Sequence, residues 1–388
     1  MGVCGTPLEI GWKVLARVPP AYGDPCRIVG DIQSPPRRLY VRVNTAKIGV
    51  DEYIELAHRF GVELHVDEEV PHAVWAPVEG PFQLRKYRGW VVADKRAAES
   101  VLMGSDLYAP GVIMAGGFSR GDKVSIYSPN RVHVGNGIAQ LSPQEMISGS
   151  HGIAVRVTEP RYRSVRVHDL PGYDEGLVYG QSISSMYVGL IPRLSDSDVI
   201  VDLTAAPGGK VSHIAQRAVE EGISPEIIAV DRPSKAERLR ETLRRLGLDG
   251  IVRVYGGDSR KITKWLPSVK GRATIVVVDP PCSNLGVRPK VMEKRGDKDI
   301  ASLASYQRSI LWEASRLLAP GGLLIYSTCT LTADENQGNR AWAIDRLNLE
   351  PVEAPPFRRP LKGGVGELLF SPLQGIPGFY IALLRRPG

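Results

Sequence analysis

The sequence predicts an α/β protein in which a mostly parallel, doubly wound sheet follows a short α+β segment and a small inserted β module. Three observations carry this prediction. Residues 169–388 alternate apolar, β-branched runs with helix-like patterns. Residues 90–168 consist of short strand patterns between Gly, Asn and Pro, and residues 1–89 mix a strand pattern with a helix pattern. We therefore expect three units with these boundaries.

The first unit, residues 1–89, is predicted from two segments. RLYVRVNT alternates apolar and polar residues and indicates a strand, whereas DEYIELAHRFG has the spacing of an amphipathic helix that Gly61 closes. The second unit, residues 90–168, contains segments such as GDKVSIYS and VGNGIAQLS. Short strands of this kind, separated by turn residues, predict a barrel-like all-β module.

The third unit, residues 169–388, supplies the large sheet. Its strands are predicted from the runs VIVDLT, EIIAVD, IVRVYGGD, TIVVVDPP and LLIYSTCT. Continuous apolar runs of this length are typical of parallel strands covered on both faces, and helix-like segments separate most of them. The final GFYIALLRR is predicted to add the last strand at an edge of the sheet.

Composition bounds the function. The 388 residues are 43% hydrophobic and 23% charged, as in an ordinary globular protein, and the net charge of +7 favours a polyanionic partner over a merely basic protein by a narrow margin. No apolar run approaches the roughly 18 residues that cross a bilayer, and no cationic signal peptide opens the chain, so we expect a cytoplasmic protein without membrane association. MGVCGT fits the loose N-myristoylation pattern at Gly2 and Thr6, but such short patterns match often by chance and we expect no modification.

The cysteines argue against a metal site. They show no CxxC spacing and no neighbouring histidines, so we expect no metal, no disulfide framework and a reducing compartment. Two of them follow predicted strands and are candidate nucleophiles, whereas the other two are interpreted as small buried hydrophobes. The four cysteines are Cys4, Cys26, Cys282 and Cys329.

A cofactor loop is predicted after the first strand of the sheet. DLTAAPGGK places Gly208 and Gly209 where strand turns into helix, so that the backbone can approach a ligand closely. The sequence contains neither GxxxxGK[ST] nor GxGxxG after this strand, which argues against a phosphate loop and against a dinucleotide. Asp231 and Asp258 end the second and third strands, where carboxylates suit ribose hydroxyls and an adenine amino group, although aspartate there is often only a helix cap.

This combination favours S-adenosylmethionine over NAD. The predicted cofactor contacts are Thr204, Ala205, Ala206, Pro207, Gly208, Gly209, Lys210, Asp231, Asp258 and Asp279.

The fourth and fifth strands end near the two candidate nucleophiles. Amino-group methyltransferases usually carry an aromatic residue after Asp-Pro-Pro, which stacks on the target base, whereas TIVVVDPPCSNLG has Cys282. A thiol suits another reaction: addition of a thiolate to C6 of cytosine makes C5 nucleophilic enough to attack an activated methyl group. Cys329 follows the next strand, so we expect both sulfurs to face one pocket.

The motifs DLTAAPGGK, VVVDPPCSNLG, YSTCTLTADENQ and YGQSISSMYVGLIP resemble the signatures of the Sun-domain RNA cytosine-5 methyltransferases. The resemblance covers nearly all of residues 170–388 and implies a Rossmann-like class I methyltransferase domain. It implies that Cys329 is the nucleophile and that Cys282 assists release of the methylated RNA. Asp279 would hydrogen-bond the cytosine ring, and Lys210 would lie near the target base.

Three features leave the details open. DNA cytosine methyltransferases use the Pro-Cys position as nucleophile, so the roles of the two sulfurs could be exchanged. Thr204 stands where the family often has Cys, and Pro280 stands where it often has Ala. Small residues are tolerated at both positions, so the predicted reaction is unchanged.

The second unit resembles a PUA domain, a compact RNA-binding barrel, in GSDLYAPGV, GDKVSIYS and VGNGIAQLS. One branch of the Sun family carries such an insert and methylates cytosine 72 of certain tRNAs, with the PUA domain holding the CCA end. The resemblance therefore implies a tRNA partner bound through its acceptor stem and CCA end. The candidate RNA contacts, each with a solvated surface residue as the alternative, are Lys95, Tyr108, Lys123, Arg131, Arg161 and Arg163.

The sequence thus predicts a tRNA (cytosine-5)-methyltransferase that acts as a monomer. An rRNA cytosine-5 methyltransferase is one alternative within the same chemistry. A methyltransferase for an exocyclic amine and an RNA-binding scaffold with a degenerate catalytic domain are the others.

Overall fold

A computed structural model describes residues 4–5, 8, 10–149 and 151–388, with the side chain of Trp12 excepted. Gly2 and Thr6 of the myristoylation pattern lie outside these residues. The described chain forms three sheets of four, six and nine strands. Within that part of the chain, no helix is both long enough and apolar enough to span a bilayer.

The N-terminal segment packs against the largest sheet. It contains α1 (Trp12–Leu15), a 3-10 turn at Pro20–Tyr22 and α2 (Pro25–Ile32). Asp24 caps α2 by accepting a hydrogen bond from the Arg27 amide at 2.8 Å. Cys4 and Cys26 form a disulfide, so the expectation that these residues are merely small buried hydrophobes is wrong.

The four-stranded antiparallel sheet has the order β10–β1–β3–β2. RLYVRVNT forms β1, as predicted, and the predicted amphipathic helix forms α3 and ends just before Gly61, which has φ of +74°. Strand β10 comes from beyond the inserted module and pairs with β1, so the first unit is completed by later residues. The elements are β1 (Arg38–Val43), α3 (Val50–Arg59), β2 (His65–Val66), β3 (Ala73–Pro77) and β10 (Val178–Gly180).

The inserted module is a six-stranded sheet with the order β5–β9–β8–β7–β4–β6. Only the β4–β7 pair is parallel. The module is not all-β, because it also contains two helices, the first capped by Asp94 and the second by Ser142. The elements are β4 (Gly89–Ala93), α4 (Lys95–Leu102), β5 (Leu107–Tyr108), β6 (Val112–Gly116), β7 (Lys123–Tyr127), β8 (His133–Ala139), α5 (Pro143–Ile147) and β9 (Ile153–Pro160).

The nine-stranded sheet has the order β13–β12–β11–β14–β15–β19–β18–β17, with β16 beside β19. The five neighbouring strands β13, β12, β11, β14 and β15 are parallel, as predicted, and the remaining pairs are antiparallel. Its strands are β11 (Val199–Asp202), β12 (Glu226–Asp231), β13 (Val252–Gly256), β14 (Ala273–Val278), β15 (Leu318–Thr328), β16 (Glu350–Pro351), β17 (Leu361–Lys362), β18 (Glu367–Phe370) and β19 (Phe379–Arg385). GFYIALLRR forms β19, which lies inside the sheet between β15 and β18, so its predicted edge position is wrong. The buried pattern of β19 matches this interior position.

Helices cover both faces of this sheet, which is why its strands are apolar on both sides. One face packs against α9, α10, α11 and the N-terminal segment, and the other packs against α6, α7 and α8. The strand order reverses between β11 and β14, and ligands of such folds bind outside the carboxyl ends of the strands at this point. The helices are α6 (Ile183–Leu190), α7 (Gly209–Glu220), α8 (Pro233–Leu246), α9 (Ile262–Trp265), α10 (Asp297–Leu317) and α11 (Gln337–Leu347).

Candidate active site

The glycine loop after β11 is fixed by its backbone geometry. Gly208 caps α7 with φ of +119°, a value that side chains rarely tolerate, and an added Cβ would lie 3.1 Å from carbons of Leu239 and Thr242. At the end of β11, the buried Asp202 accepts a hydrogen bond from the Thr204 amide at 3.0 Å. Burial raises the pKa of Asp202 to about 7.

A buried arginine of the four-stranded sheet holds the start of α7. Arg42 is fully buried and donates hydrogen bonds to the Gly209 carbonyl (2.6 Å), Ser212 Oγ (2.7 Å) and Gln181 Oε1 (2.7 Å). No carboxylate lies within 4.0 Å of it in the described chain, and burial lowers the pKa of Arg42. Sequence reasoning missed this residue. The available signal was a charge between two valines in RLYVRVNT, which equally fits a solvated strand face.

The two carboxylates predicted to bind the cofactor differ in their pairing. Asp231 ends β12 and accepts hydrogen bonds from the amides of Ala206 (3.0 Å) and Arg232 (2.8 Å), which ties the glycine loop to the second strand. Asp258 follows β13 and accepts two hydrogen bonds from the Arg260 guanidinium, both at 2.9 Å. These hydrogen bonds lower the pKa of Asp258.

A cavity of about 940 Å³ opens at the carboxyl ends of these strands. It brings together seven of the predicted site residues: Thr204, Ala206, Asp231, Asp258, Asp279, Cys282 and Cys329. Five other predicted residues do not line it: Ala205, Pro207, Gly208, Gly209 and Lys210. Arg96 of α4 also lines the cavity, so the inserted module borders the site.

The two free cysteines meet at this cavity, as predicted. Their sulfurs lie 3.1 Å apart, and Asn284 Oδ1 accepts hydrogen bonds from Cys282 at 3.1 Å and from Cys329 at 3.0 Å. Asn284 adopts φ of +56°, a left-handed conformation that asparagine tolerates better than most residues. The hydrogen bond to Cys329, together with burial, raises the pKa of Cys282 well above its usual value. At this separation, either thiol can donate a hydrogen bond to the other sulfur.

Lys210 and Asp279 form an ion pair beside the sulfurs. Lys210 Nζ lies 2.5 Å from Asp279 Oδ2, and Asp279 Oδ1 accepts a hydrogen bond from Ser327 Oγ at 3.0 Å. The Asp279 amide donates to Thr204 Oγ1 at 2.7 Å. Burial alone would lower the pKa of Lys210, but the negative charges of Asp279, Asp202 and Cys329 raise it. The pair therefore holds a fixed cation next to the thiol of Cys329.

Sequence reasoning also missed Glu335. This fully buried carboxylate accepts hydrogen bonds from the loop that carries Cys282 and from the loop after Cys329. It belongs to the TLTADENQ motif, so the signal was a carboxylate a few residues after a candidate nucleophile. Nothing in the sequence indicates that this carboxylate points inward.

The six candidate RNA contacts occupy different settings. Tyr108 is 57% exposed on β5, Lys123 and Arg131 are exposed, Arg161 is half-buried, and the Arg163 guanidinium lies 5.7 Å from the centre of the Phe82 ring. Lys95 instead faces the catalytic domain: its Nζ lies 3.6 Å from the buried carboxylate of Glu293.

The segment around Glu293 joins the inserted module to the cysteine loop. Glu293 also pairs with Lys290 at 3.0 Å, and Val291 lies in the core of the inserted module. Arg295, two residues further on, donates a hydrogen bond to the carbonyl of Ser283 beside Cys282. The chain that bears Cys282 is thus anchored in the module that precedes it.

Comparison with known proteins adds the following findings. The family described as 16S rRNA methyltransferase RsmB/F matches residues 190–385, and the PUA domain family matches residues 89–160. A tRNA (cytosine(72)-C(5))-methyltransferase of Pyrococcus horikoshii is 36% identical over 367 residues, which cover 93% of this chain and 92% of that protein. The human tRNA (cytosine(72)-C(5))-methyltransferase NSUN6 is 32% identical over 83% of this chain and 76% of its own length.

One solved structure matches the whole fold. The crystal structure of NSun6 from Pyrococcus horikoshii with SFG has a TM-score of 0.86 and 34% identity. The match covers 97% of this chain and 98% of that chain.

Proposed function

Because the chain belongs to the RsmB/F family of Sun-domain RNA methyltransferases, we propose that it transfers a methyl group from S-adenosylmethionine to C5 of cytosine 72 in the acceptor stem of tRNA. The fold is the α/β Sun methyltransferase fold with a PUA domain. The cofactor assignment agrees with the crystal structure of the relative, which was solved with SFG, an analogue of S-adenosylmethionine.

The observation that carries the proposal is the pair of free thiols, 3.1 Å apart, in the wall of the cofactor cavity. An enzyme for an exocyclic amine needs no thiol there and benefits from a flat aromatic face after Asp-Pro-Pro, which Cys282 does not offer. An RNA-binding scaffold with a degenerate catalytic domain needs neither the thiols nor the partly buried Lys210–Asp279 pair. Neither alternative accounts for two neighbouring thiols beside the Lys210–Asp279 ion pair.

The cavity suits S-adenosylmethionine in shape and chemistry. Its volume of about 940 Å³ is within the range of ligand sites, and Leu203, Pro233 and Ile310 give it an apolar wall for an adenine ring. Asp231 lies where ribose hydroxyls bind in such folds, and each of its oxygens accepts one hydrogen bond from the described chain, which leaves further acceptor capacity for a ligand. Asp258 would exchange part of its pairing with Arg260 for an adenine amino group. Thr204 and Ala206 line the cavity and would bound the methionine end, whereas Ala205 and Pro207 to Lys210 would support them from the rest of the loop.

Cys329 acts as the nucleophile in the proposed reaction. Its thiolate adds to C6 of cytosine, so a bond forms between Sγ and C6 and the C5=C6 electron pair moves toward C5 and N3. Asp279 stabilises the charge that develops at N3 by donating a hydrogen bond there, for which its carboxylate takes up the proton that Lys210 holds in the ion pair. When bound, S-adenosylmethionine supplies the electrophilic methyl group that C5 takes up. The C5 proton then leaves to a base, the Sγ–C6 bond breaks and its electron pair returns to sulfur.

Cys282 is proposed to assist the last step. Its thiol lies within hydrogen-bond distance of Cys329 Sγ, so it can donate to the departing thiolate and favour cleavage of the bond to C6. The raised pKa of Cys282 keeps this proton available at neutral pH. Loss of the Cys282 proton donor therefore traps the RNA on Cys329.

The protein is proposed to act as a monomer. The tRNA is proposed to bind across its three units, residues 1–89, 90–168 and 169–388. A paired acceptor-stem cytosine must leave its stack, at a cost of a few kcal/mol, and a grip on the neighbouring CCA end by the PUA domain supplies position and binding energy. The proposed phosphate contacts are Lys123, Arg131, Arg161 and Arg163, and Tyr108 would stack on a base. Because Lys95 is paired with Glu293, it is proposed to contact RNA only through the exposed part of its side chain.

Bisulfite sequencing of tRNA incubated with the protein and S-adenosylmethionine tests the proposal. We expect a protected cytosine at position 72 with the parent protein and none with Cys329→Ala. Cys282→Ala should accumulate a covalent protein–RNA adduct that withstands denaturing electrophoresis. Methyl groups on adenine would contradict the proposed chemistry, and an adduct with Cys329→Ala instead would exchange the roles of the two sulfurs.

A further inference from the structure

Glu335 is a fully buried carboxylate between β15 and α11. Its Oε1 accepts hydrogen bonds from the Ser283 amide and from Gln307 Nε2, both at 2.9 Å. Its Oε2 accepts from Ser283 Oγ at 2.6 Å and from Thr332 Oγ1 at 2.8 Å. Across the residues that the structure describes, no Lys, Arg or His nitrogen lies within 4.0 Å of it. Four donors, rather than a cation, satisfy this charge.

Three of the four donors belong to the loops that carry the two cysteines. Ser283 follows Cys282 directly, and Thr332 lies three residues after Cys329. Ser283 Oγ also lies 2.5 Å from Thr330 Oγ1, next to Cys329, and Gln307 of α10 holds the Pro281 carbonyl at 3.0 Å. Glu335 is therefore the common partner through which the Cys282 loop is held against the Cys329 loop.

The charges around the two sulfurs are unequal. The positive charge of Lys210 interacts with Cys329, and the negative charge of Glu335 interacts with Cys282. Besides the hydrogen bond to Cys329 and burial, the negative charges of Cys329 and Glu335 help to raise the pKa of Cys282. A negative charge near Cys282 makes the loss of its proton less favourable.

The remaining charged groups do not cancel this asymmetry. Asp279 is paired with Lys210, and Asp334, beside Glu335, is paired with Arg17 of the N-terminal segment. Arg295 donates to the Ser283 carbonyl and also faces the Glu293 carboxylate, 3.5 Å away. From β15, the buried Tyr326 hydroxyl donates to the Glu335 main-chain carbonyl at 2.6 Å and stays neutral, because burial raises its pKa well above the usual value.

We propose that Glu335 is a positioning residue that fixes the two cysteine loops together and whose negative charge keeps the proton on Cys282, so that Cys282 remains a proton donor beside Cys329. The catalytic meaning of this role rests on the proposed function. The charge effect itself is a property of the protein without RNA or cofactor. Glu335 thus keeps the proton of Cys282 available for donation.

The test measures the titration of Cys282 directly. In a Cys329→Ser background, Cys282 is the one thiol outside the disulfide, and its ¹³Cβ chemical shift reports ionisation without a reagent having to reach it. Glu335→Gln keeps the size of the side chain and removes its charge. Removal of a nearby like charge should lower the titration midpoint of Cys282 by at least about one pH unit.

Two controls separate charge from structure. Glu313→Gln removes another buried carboxylate, one that accepts from Thr263 rather than from a cysteine loop, and should leave the midpoint unchanged. Glu335→Asp keeps the charge while it shortens the reach, so the midpoint should stay close to that of the parent even where stability falls. This second variant decides the question if Glu335→Gln does not fold.

The outcome is independent of methyl transfer. An unchanged or higher midpoint of Cys282 in Glu335→Gln overturns the proposal. So does a fall of about one pH unit or more in Glu335→Asp, which keeps the charge. If the titration moves as expected while tRNA is not methylated, the proposed function fails and the charge effect stands. With an active enzyme, Glu335→Gln should lower kcat far more than it raises KM for tRNA, because the RNA-binding surfaces are untouched.

Discussion

Replacement of Arg42 by methionine should loosen the glycine loop from a distance. Arg42 belongs to the four-stranded sheet, yet its guanidinium donates to the Gly209 carbonyl, Ser212 and Gln181. Methionine fills a similar volume and removes all three hydrogen bonds. We expect both the free energy of unfolding and the affinity for the cofactor to fall.

The magnitude follows from opposing terms. Three hydrogen bonds from a charged donor are worth about 1.5–3 kcal/mol each, and their loss also leaves buried acceptors without a partner. Against this, methionine removes a fully buried cation that no carboxylate neutralises, whose desolvation costs several kcal/mol. We expect a net loss of about 2–4 kcal/mol in the free energy of unfolding, the usual range for a broken buried network.

Urea denaturation measures the stability, and titration calorimetry with S-adenosylhomocysteine measures the site. A displaced Gly209 should weaken binding about tenfold, which corresponds to about 1.4 kcal/mol. Arg240→Met is the matched control: Arg240 is partly exposed on α8 and pairs with Glu237 at 3.0 Å, so its loss should cost less than about 1 kcal/mol and leave binding unchanged. An Arg42→Met protein that binds as tightly as the parent would refute the claim that Arg42 positions the loop.

Three further predictions concern stability and RNA binding. Burial raises the pKa of Asp202 to about 7, above its value in the unfolded chain, so the folded state binds the extra proton. The free energy of unfolding should therefore fall as pH rises from about 4 to 7. Asp202→Asn should abolish this dependence, which urea titrations at pH 5 and pH 8 would measure. Cys26→Ser opens the 22-residue loop closed through Cys4 and should lower the free energy of unfolding by about 3 kcal/mol, as should dithiothreitol with the parent protein but not with the variant. Lys123→Ala should reduce the slope of log tRNA affinity against log salt by about one, whereas Lys95→Ala, which breaks an ion pair with Glu293, should lower the melting temperature by more than it changes that slope.

The main sheet was predictable because its signals are local. Most of the parallel strands are apolar runs that end at or next to a chemically distinctive residue, and the carboxyl ends of such strands meet at one edge. This rule alone was enough to predict that Asp231, Cys282 and Cys329 lie close together, and all three line one cavity. The place of GFYIALLRR was not predictable in the same way, because an antiparallel strand pairs according to distant contacts that leave no mark on its own sequence.

The residues that sequence reasoning missed act across units. Arg42 is separated from Gly209 by 167 positions, and Glu335 is separated from Ser283 by 52. A charged residue in such a place has the same local pattern as a solvated one, and only the fold reveals that it is buried. The Cys4–Cys26 bond was missed for a similar reason, since the argument from spacing applies to frameworks of several bridges and says little about a single one.

The segment from Lys290 to Glu293 has a consequence for engineering. Val291 is embedded in the PUA core, Glu293 is bonded to Lys95 there, and the same stretch leads back within ten residues to Cys282. A chimaera that exchanged the PUA domain as a self-contained cassette would sever these ties and leave the Pro-Cys loop without its scaffold. A graft that aims at a new RNA target must therefore transfer the segment Lys290–Glu293 together with the PUA domain, or redesign both sides of the interface between them.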